Sequence, residues 1–482
     1  MQNLKIYLFY FFLYDIIKKN KGRIERMKKI FFILFLPLLI ACSNLGNGKY
    51  INTAMPVDID SLNPYKFVGS STEEIMFNVY EGLVKQTPNG EVEPAIAKKY
   101  TISDDGLVYT FEIRDNVYFH NDTKLTPSDV VFSINKMREL ALQPAFKNIK
   151  TVKEEGNKVI IELEKKDASL IYYLITPIVD EQSYSNIENK AIGTGPYYVD
   201  EYKREQKIVL KAFDKYWGEK PSIKKVKINI MPNTDTIFLK FLSGELNFVY
   251  NLDSKKLKEI KDKNVVKTPR NMLFILGINN KKYDKNVREA LSVAVNRKEI
   301  VDNVLSGNGR LLDKDRNGDT SILKNMVFEL KVPTNSKMYT DTAQVIKQQL
   351  AKVGAKVNIV QIEWASWLQD VYANRNYELT LIGFTGKLDK DAVYRRYTTS
   401  YKKNFTNFNN SEYDELIKEA KVTLDGNKRN ELYNKAWGIL LADYGSVFIA
   451  DPENIIAFDK NISGFVPYTI SFINFAKLKM NK

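Results

Sequence analysis

The chain is 482 residues long, 44% hydrophobic and 27% charged, with a formal net charge of +14; that is enough apolar material for two or three packed domains and too much for a disordered chain. Residues 1–41 hold eight Lys/Arg and two Asp/Glu, leaving +8 on the remainder, spread as scattered lysines and not as the basic block with interleaved aromatics that tracks nucleic acid. With one cysteine and one histidine, an intrachain disulfide, a Cys-rich or His-rich metal site and any catalytic triad without His120 are excluded.

Along the chain, residues 28–42 read KKIFFILFLPLLIAC. Two lysines precede an apolar run, Ile30–Ile40, that is too short for a ~20-residue membrane span. Leu39-Ile40-Ala41-Cys42 resembles a bacterial lipobox, which implies acylation of Cys42 and its exposure as the mature N-terminus. Met27 opens a complete signal peptide by itself, so translation is expected to start there. Residues 43–49, SNLGNGK, suit a flexible tether.

Tyr109, Phe111 and Ile113 alternate with Thr110, Glu112 and Arg114, and Val159, Ile161 and Leu163 repeat the pattern; both predict half-buried strands. His120 follows in a strand-to-turn context and reads as structural. Gly193-Thr194-Gly195-Pro196 lacks the third glycine of a phosphate loop, and its proline removes a backbone donor, so a tight turn is expected. Tyr216 and Trp217 beside Gly218 read as core anchors. Val287, Ala290, Leu291, Ala294 and Val295 have the spacing of an amphipathic helix; Arg288 sits off that stripe, either bridging lobes or in a surface ion pair. Asp313, Asp315 and Asn317 followed by Gly318 imitate the start of a calcium loop, but its twelfth position is Lys324 where a bidentate Glu is needed, so a polar turn is expected. Asp341–Val353 predicts a helix and Lys356–Glu363 the next strand. No phosphate-binding G-x-x-x-x-G-K-[ST] occurs.

Several segments in order carry a resemblance: Leu62-Asn63-Pro64-Tyr65, Val79-Tyr80-Glu81-Gly82-Leu83-Val84, Ser103–Asp122, Leu125–Ser133, Gly193–Val199, Lys215–Val226, Leu242–Asn247 and Val287–Val301. Together they resemble the family 5 extracellular solute-binding proteins, the peptide- and nickel-binding components of ABC importers. The resemblance implies an α/β, periplasmic-binding-protein-like clamshell (type II, cluster C) with two α/β lobes and an extra subdomain in lobe one. It divides the chain into a leader (1–41), a tether (42–49), lobe one (50–268 and 456–482, with a subdomain at about 66–190) and lobe two (269–455). It further implies a non-enzymatic, monomeric, lipid-anchored protein of the cell envelope that uses no cofactor. Such a protein takes an oligopeptide or a nickel or other metal chelate between its lobes and passes it to a permease with ATPase subunits. A secreted hydrolase, and an adhesin or chaperone reusing the fold, are the rivals.

Peptide binders of the family carry a Trp-x-x-Asp segment that pairs with the ligand's amino terminus. Here Phe384 stands for the tryptophan and Lys387 for the aspartate, with Asp389 two residues on. Positions near Asp391, Asn135 and Ile178 lack the histidine and arginines that nickel-binding members use. Phe384, Lys387, Asp389, Arg395 and Arg396 are therefore the expected ligand contacts, with Lys387 and the arginines suited to a carboxylate. No protein metal site is expected.

Overall fold

The computed structural model describes residues 50–470 and 472–481; the leader, Cys42 and the tether lie outside them. Residues Ile51–Lys482 form one compact unit. Among the described residues no helix is long and apolar enough to cross a membrane.

Period-two alternation builds the first sheets, each of four strands. Strands Ala97–Ile102, Val108–Ile113, Lys158–Leu163 and Ile149–Glu155 lie side by side in an antiparallel sheet. The register sets Tyr109 opposite Ile161 and Phe111 opposite Val159, so all four point to one face and are buried there, as period-two patterning requires. The helix Pro127–Glu139 covers that face with Val130, Ile134 and Met137. Asp129 holds its start by accepting from both the backbone N and the hydroxyl of Thr126, each at 2.8 Å, a reciprocal N-terminal cap. A second sheet orders Ile51–Met55, Lys225–Ile230, Lys207–Ala212 and Tyr197–Lys203, its first pair parallel.

The third sheet is the largest. It runs Phe248–Val249, Val447–Asp459, Met272–Ile278, Leu379–Thr385, Val327–Pro333, Lys356–Ile362, and two further strands, Lys263–Pro269 and Gly309–Leu311, also pair with Val447–Asp459. The parallel pair Val327–Pro333 and Lys356–Ile362 is bridged by the helix Lys337–Lys352, the usual solution for joining parallel strands. This helix starts four residues before the periodicity predicts, and its added first turn buries Tyr339 in the core. Core residues from 274 to 450 form one cluster, those from 65 to 192 another, and those of 51–228 with 456–478 a third. This is the two-lobed α/β clamshell, with two antiparallel segments crossing between its halves.

The crossing segments are 263–278 and 447–459. The 13-residue strand Val447–Asp459 pairs with Phe274–Leu276 near its start and with Lys263–Pro269 near its end. Between those stretches Arg270 N still donates to the Pro452 carbonyl at 3.0 Å, and Asn271 interrupts the pairing with a left-handed φ of 53°. Asp451 accepts from the backbone N of Met272 at 3.0 Å, which ties the pivot.

The glycine-proline turn is packed and not a phosphate loop. A Cβ added at Gly193 would lie 2.1 Å from the carbonyl oxygen of Val79. Gly193 N donates to Nδ1 of His120 at 3.2 Å, and Nε2 of His120 lies 3.0 Å from the Gly195 carbonyl. The ring is thus neutral, with its proton on Nε2, and burial pulls its pKa down to about 4. The calcium-like loop is equally occupied. Asp313 pairs with the fully buried Arg297 and with Arg316, while Asp315 accepts from the backbone N of Arg297. The short turn Ser321–Leu323 follows that loop. Arg288 makes neither predicted contact; it donates to the carbonyls of Tyr283, Asp443 and Tyr444, capping the end of the helix Gly426–Ala442.

Gly193→Ala is expected to destabilise the fold by about 1–3 kcal/mol, read as a lower urea midpoint, since its neighbour is backbone and cannot swing away.

Candidate functional site

The end of strand Leu379–Thr385 delivers the predicted contact segment to the seam between the lobes. Phe384 packs on Phe405, and Arg396 lies over the Phe384 ring at 5.1 Å while donating to the hydroxyl of Tyr372 at 3.1 Å. A Cβ at Gly386 would lie 2.5 Å from Asn271 Nδ2; only glycine lets the chain pass so close to the pivot. Lys387 then reaches across to Glu73 of the first lobe, 3.7 Å away, with both side chains about half exposed.

Asp389 and Arg395 are placed differently from the expectation of ligand contacts. Asp389 is fully buried and pairs with Arg429 at 2.8 Å. Arg395 pairs with Asp391 at 3.4 Å and covers Tyr401. Arg429 also donates to the Ala420 carbonyl and to the hydroxyl of Ser169 at 3.0 Å, and lies over the rings of Tyr172 and Tyr433. One guanidinium therefore joins the helix Gly426–Ala442 to the 165–173 segment of the other half. Beside it Ala168 N donates to the Lys421 carbonyl at 2.8 Å. Burial and the neighbouring Asp389 push Asp391 up to about 6, against the pull of Arg395. Sequence reasoning missed Arg429, although it occupies the apolar stripe of its helix with Leu432, Tyr433, Ala436 and Leu440, where a charge demands a partner.

A second set of charges sits at the pivot. Glu74, on the helix Ser70–Met76, is 8% exposed. Burial pushes its carboxyl up to about 7 despite attraction from Arg270. Glu74 Oε2, Tyr250 OH and Arg270 Nε are buried with no protein partner, and no ion pair joins Glu74 to Arg270 among the described residues. A cavity of about 290 Å³ is lined by Tyr250, Arg270, Met338 and Glu453 from both lobes and the crossing strands. A smaller one of about 20 Å³ adjoins Glu74, Tyr250, Tyr468 and Phe472. No motif marked these residues, because the helix holding Glu74 is only seven residues long and Arg270 lies between strands. Among the described residues no group of three or more His, Cys, Asp or Glu is arranged to hold a metal.

The model of the bacterial extracellular solute-binding proteins, family 5 Middle, matches residues 91–315 and 309–406. The chain belongs to this family. Its relatives in the family include the oligopeptide-binding protein AppA of Bacillus subtilis (strain 168), 25% identical over 83% of this chain and 88% of that protein. The nickel-binding protein NikA of Staphylococcus aureus is 24% identical over 92% and 96%. Among solved structures, HbpA2 from Haemophilus parasuis superposes with a TM-score of 0.80 at 22% identity, covering 90% of this chain and all of that one. The family is one of extracellular solute-binding proteins, and the two-lobed fold is shared across it. Its Val-Tyr-Glu-Gly-Leu segment has a structural task here. The Glu81 carboxylate accepts from Tyr216 OH at 2.8 Å, Trp217 Nε1 at 2.7 Å and Thr194 Oγ1 at 3.3 Å, so Tyr216 and Trp217 anchor lobe one as expected.

A Glu74 pKa near 7, above the 4.5 of an exposed glutamate, means the folded state holds a proton that the unfolded state releases between those values. Stability should therefore fall by about 3 kcal/mol as pH rises from 4.5 to 7, and Glu74→Gln should abolish that part of the decline. Thermal midpoints of the two ligand-free proteins across pH 4–8 measure it; parallel profiles would contradict the burial argument.

Proposed function

We propose that the chain is the substrate-binding component of an ABC importer, held at the cell envelope outside the cytoplasmic membrane by a lipid on Cys42. It captures an oligopeptide-like or metal-chelate solute between its lobes and delivers it to a permease driven by ATPase subunits. The observation that carries this reading is the set of buried charged and polar atoms at the lobe seam that the protein itself leaves without partners. Buried groups of this kind are costly unless something satisfies them, and a solute bound between the lobes does so. Lobe one comprises 50–268 and 456–482, and lobe two 269–455; ligand adds contacts to both and so favours the closed arrangement. Phe384, with Arg396 over its ring, and Lys387, which pairs with Glu73, are assigned as ligand contacts on the basis of their place in the family pattern. Asp389 and Arg395 act behind them by holding the seam together with Arg429 and Asp391.

The fold uses its one histidine internally, so a metal cargo would arrive with its coordination supplied by its own chelator. The cargoes of its relatives, a nonapeptide with AppA and Ni(L-His) with NikZ of Campylobacter jejuni, define the classes to screen.

A cognate solute raises the native state's stability by RT ln(1 + [L]/Kd), about 2.7 kcal/mol at a hundredfold excess over Kd. A screen of short peptides and nickel–histidine by thermal shift should find such a ligand, and absence of any shift would count against the reading. Cells grown with labelled palmitate should label the wild-type chain and not Cys42→Ser; equal labelling would remove the anchor.

A further inference from the structure

Away from the pivot, the two halves meet through charge. Asp167 comes from the first half and Asp389 and Asp391 from the second, and all of these acids are buried. Each has a cation. Arg429 pairs with Asp389 at 2.8 Å, Arg395 with Asp391 at 3.4 Å, and Lys421 reaches across the seam to Asp167 at 3.9 Å. The pairing is incomplete, since Tyr173 OH, Asp389 Oδ2 and Arg395 Nε are buried with no protein partner. A contact that leaves buried polar atoms unsatisfied gains little from forming, and regions of that kind open before the rest of a fold does. Few groups make the crossing. Ser169 Oγ and the Tyr172 ring meet Arg429, the Ala168 amide donates to the Lys421 carbonyl, and Lys421 meets Asp167. These contacts join one half to the other, so they part when the seam opens and water then reaches the acids.

Closing also brings like charges together. Burial raises the Asp167 carboxyl, and Asp389 across the seam adds to the rise against the pull of Lys421. Burial and Asp389 push Asp391 up to about 6. The groups facing Asp391 are Asp389 on its own segment, Arg395 on the next turn, Tyr413 and Lys421 on the helix Ser411–Val422, Arg429 and Tyr433 on the helix Gly426–Ala442, and Tyr173 from the first half. Those facing Asp167 are Lys421, Asp389 and Tyr109. An acid with a higher pKa in the closed arrangement holds its proton more often there than in the open one. Protons therefore favour closure, and the preference is lost as pH rises through the closed-state value.

We propose that the contact of segment 167–173 with Asp389, Asp391, Lys421 and Arg429 is an acid-strengthened latch: the halves grip tightly in acidic surroundings and loosen toward neutrality. Acidity outside the cell then governs how long a solute stays between the lobes. The latch rests on the reading of a solute held there and adds its regulation. Arg429 is its positioning residue, because the same guanidinium holds Asp389 on one side and Ser169 on the other.

The test is hydrogen exchange of the full-length chain in detergent, with no solute added, read at the Ala168 amide by mass spectrometry with fragmentation. The bond from that amide to Lys421 exists only across the seam, so its protection reports opening. Corrected for the intrinsic exchange rate, protection should fall about 10-fold from pH 5 to pH 7, as one carboxyl moving from about 6 to 3.8 on opening requires. Asp391→Asn should shrink that fall to about 2-fold, and Asp391→Asn with Asp167→Asn should remove it. The Glu74 carboxyl titrates in all of these variants, so a decline that it caused would survive them. Ser169→Arg sets a second cation against Arg429 and should lower Ala168 protection by about 10-fold or more at every pH. Protection that is level from pH 5 to pH 7, a decline that persists in the double variant, or protection unchanged in Ser169→Arg would overturn the latch. These outcomes are read without solute and leave the solute-binding reading standing. A thermal-shift screen that finds no ligand counts against that reading and leaves the exchange result intact.

Discussion

Two backbone ladders on one strand hold this molecule together. Val447–Asp459 pairs with Met272–Ile278 in one half and with Lys263–Pro269 toward the other, so both crossings are hydrogen-bonded to each other and neither half can rotate freely. The pairing is interrupted between these stretches at Asn271, with Arg270 N still bonded to the Pro452 carbonyl. The site follows from that constraint. Arg270 keeps its backbone bond to Pro452 but has an open Nε; Gly386 passes against Asn271; Asp451 accepts from the backbone of Met272.

The seam distant from the pivot is held differently. Arg429 brings a charge into an apolar helix face and distributes it over Asp389, Ser169, a carbonyl and two rings. Removing one partner of such a buried pair costs about 3–5 kcal/mol, although the intact pair adds little net stability over apolar residues. Its contribution is therefore specificity of docking: Ser169 and the Ala168 amide can meet their partners only in one alignment of the halves. Asp389 Oδ2, Tyr173 OH and Arg395 Nε remain open nearby, which keeps this contact weaker than a sealed core.

Much of this was legible in the residues, and the rest was not for identifiable reasons. The strands around Tyr109 and Val159, the helix from Lys285 and the turn at Gly193 carry local patterns that survive into the fold, since one face of each is buried. His120 and the Asp313–Asp319 loop were readable by elimination, because the missing glutamate and missing second histidine leave only structural roles. Family position pointed to 384–396, where the structure gives Lys387 a partner in the first half, Glu73, keeps Phe384 and Arg396 among Phe405 and Tyr372 of their own half, and pairs Asp389 and Arg395 with residues 40 and 4 positions away. Long-range pairing of this kind has no local signature. Glu74 and Arg270 were silent for the same reason, being brought together only by the crossing strands.

The placement of Val447–Asp459 near the end of the chain has a consequence for biogenesis. The cluster built on Ile51, Val226 and Ile228 is completed by Ile456, Phe458, Phe475 and Leu478, and Asn78 takes hydrogen bonds with Ile473 and Phe475. The half made first on the ribosome is thus finished last, after some 180 residues of the other half have emerged. A chain cut short before residue 456 would therefore leave Ile51, Val226 and Ile228 without the Ile456, Phe458, Phe475 and Leu478 side chains that cover them.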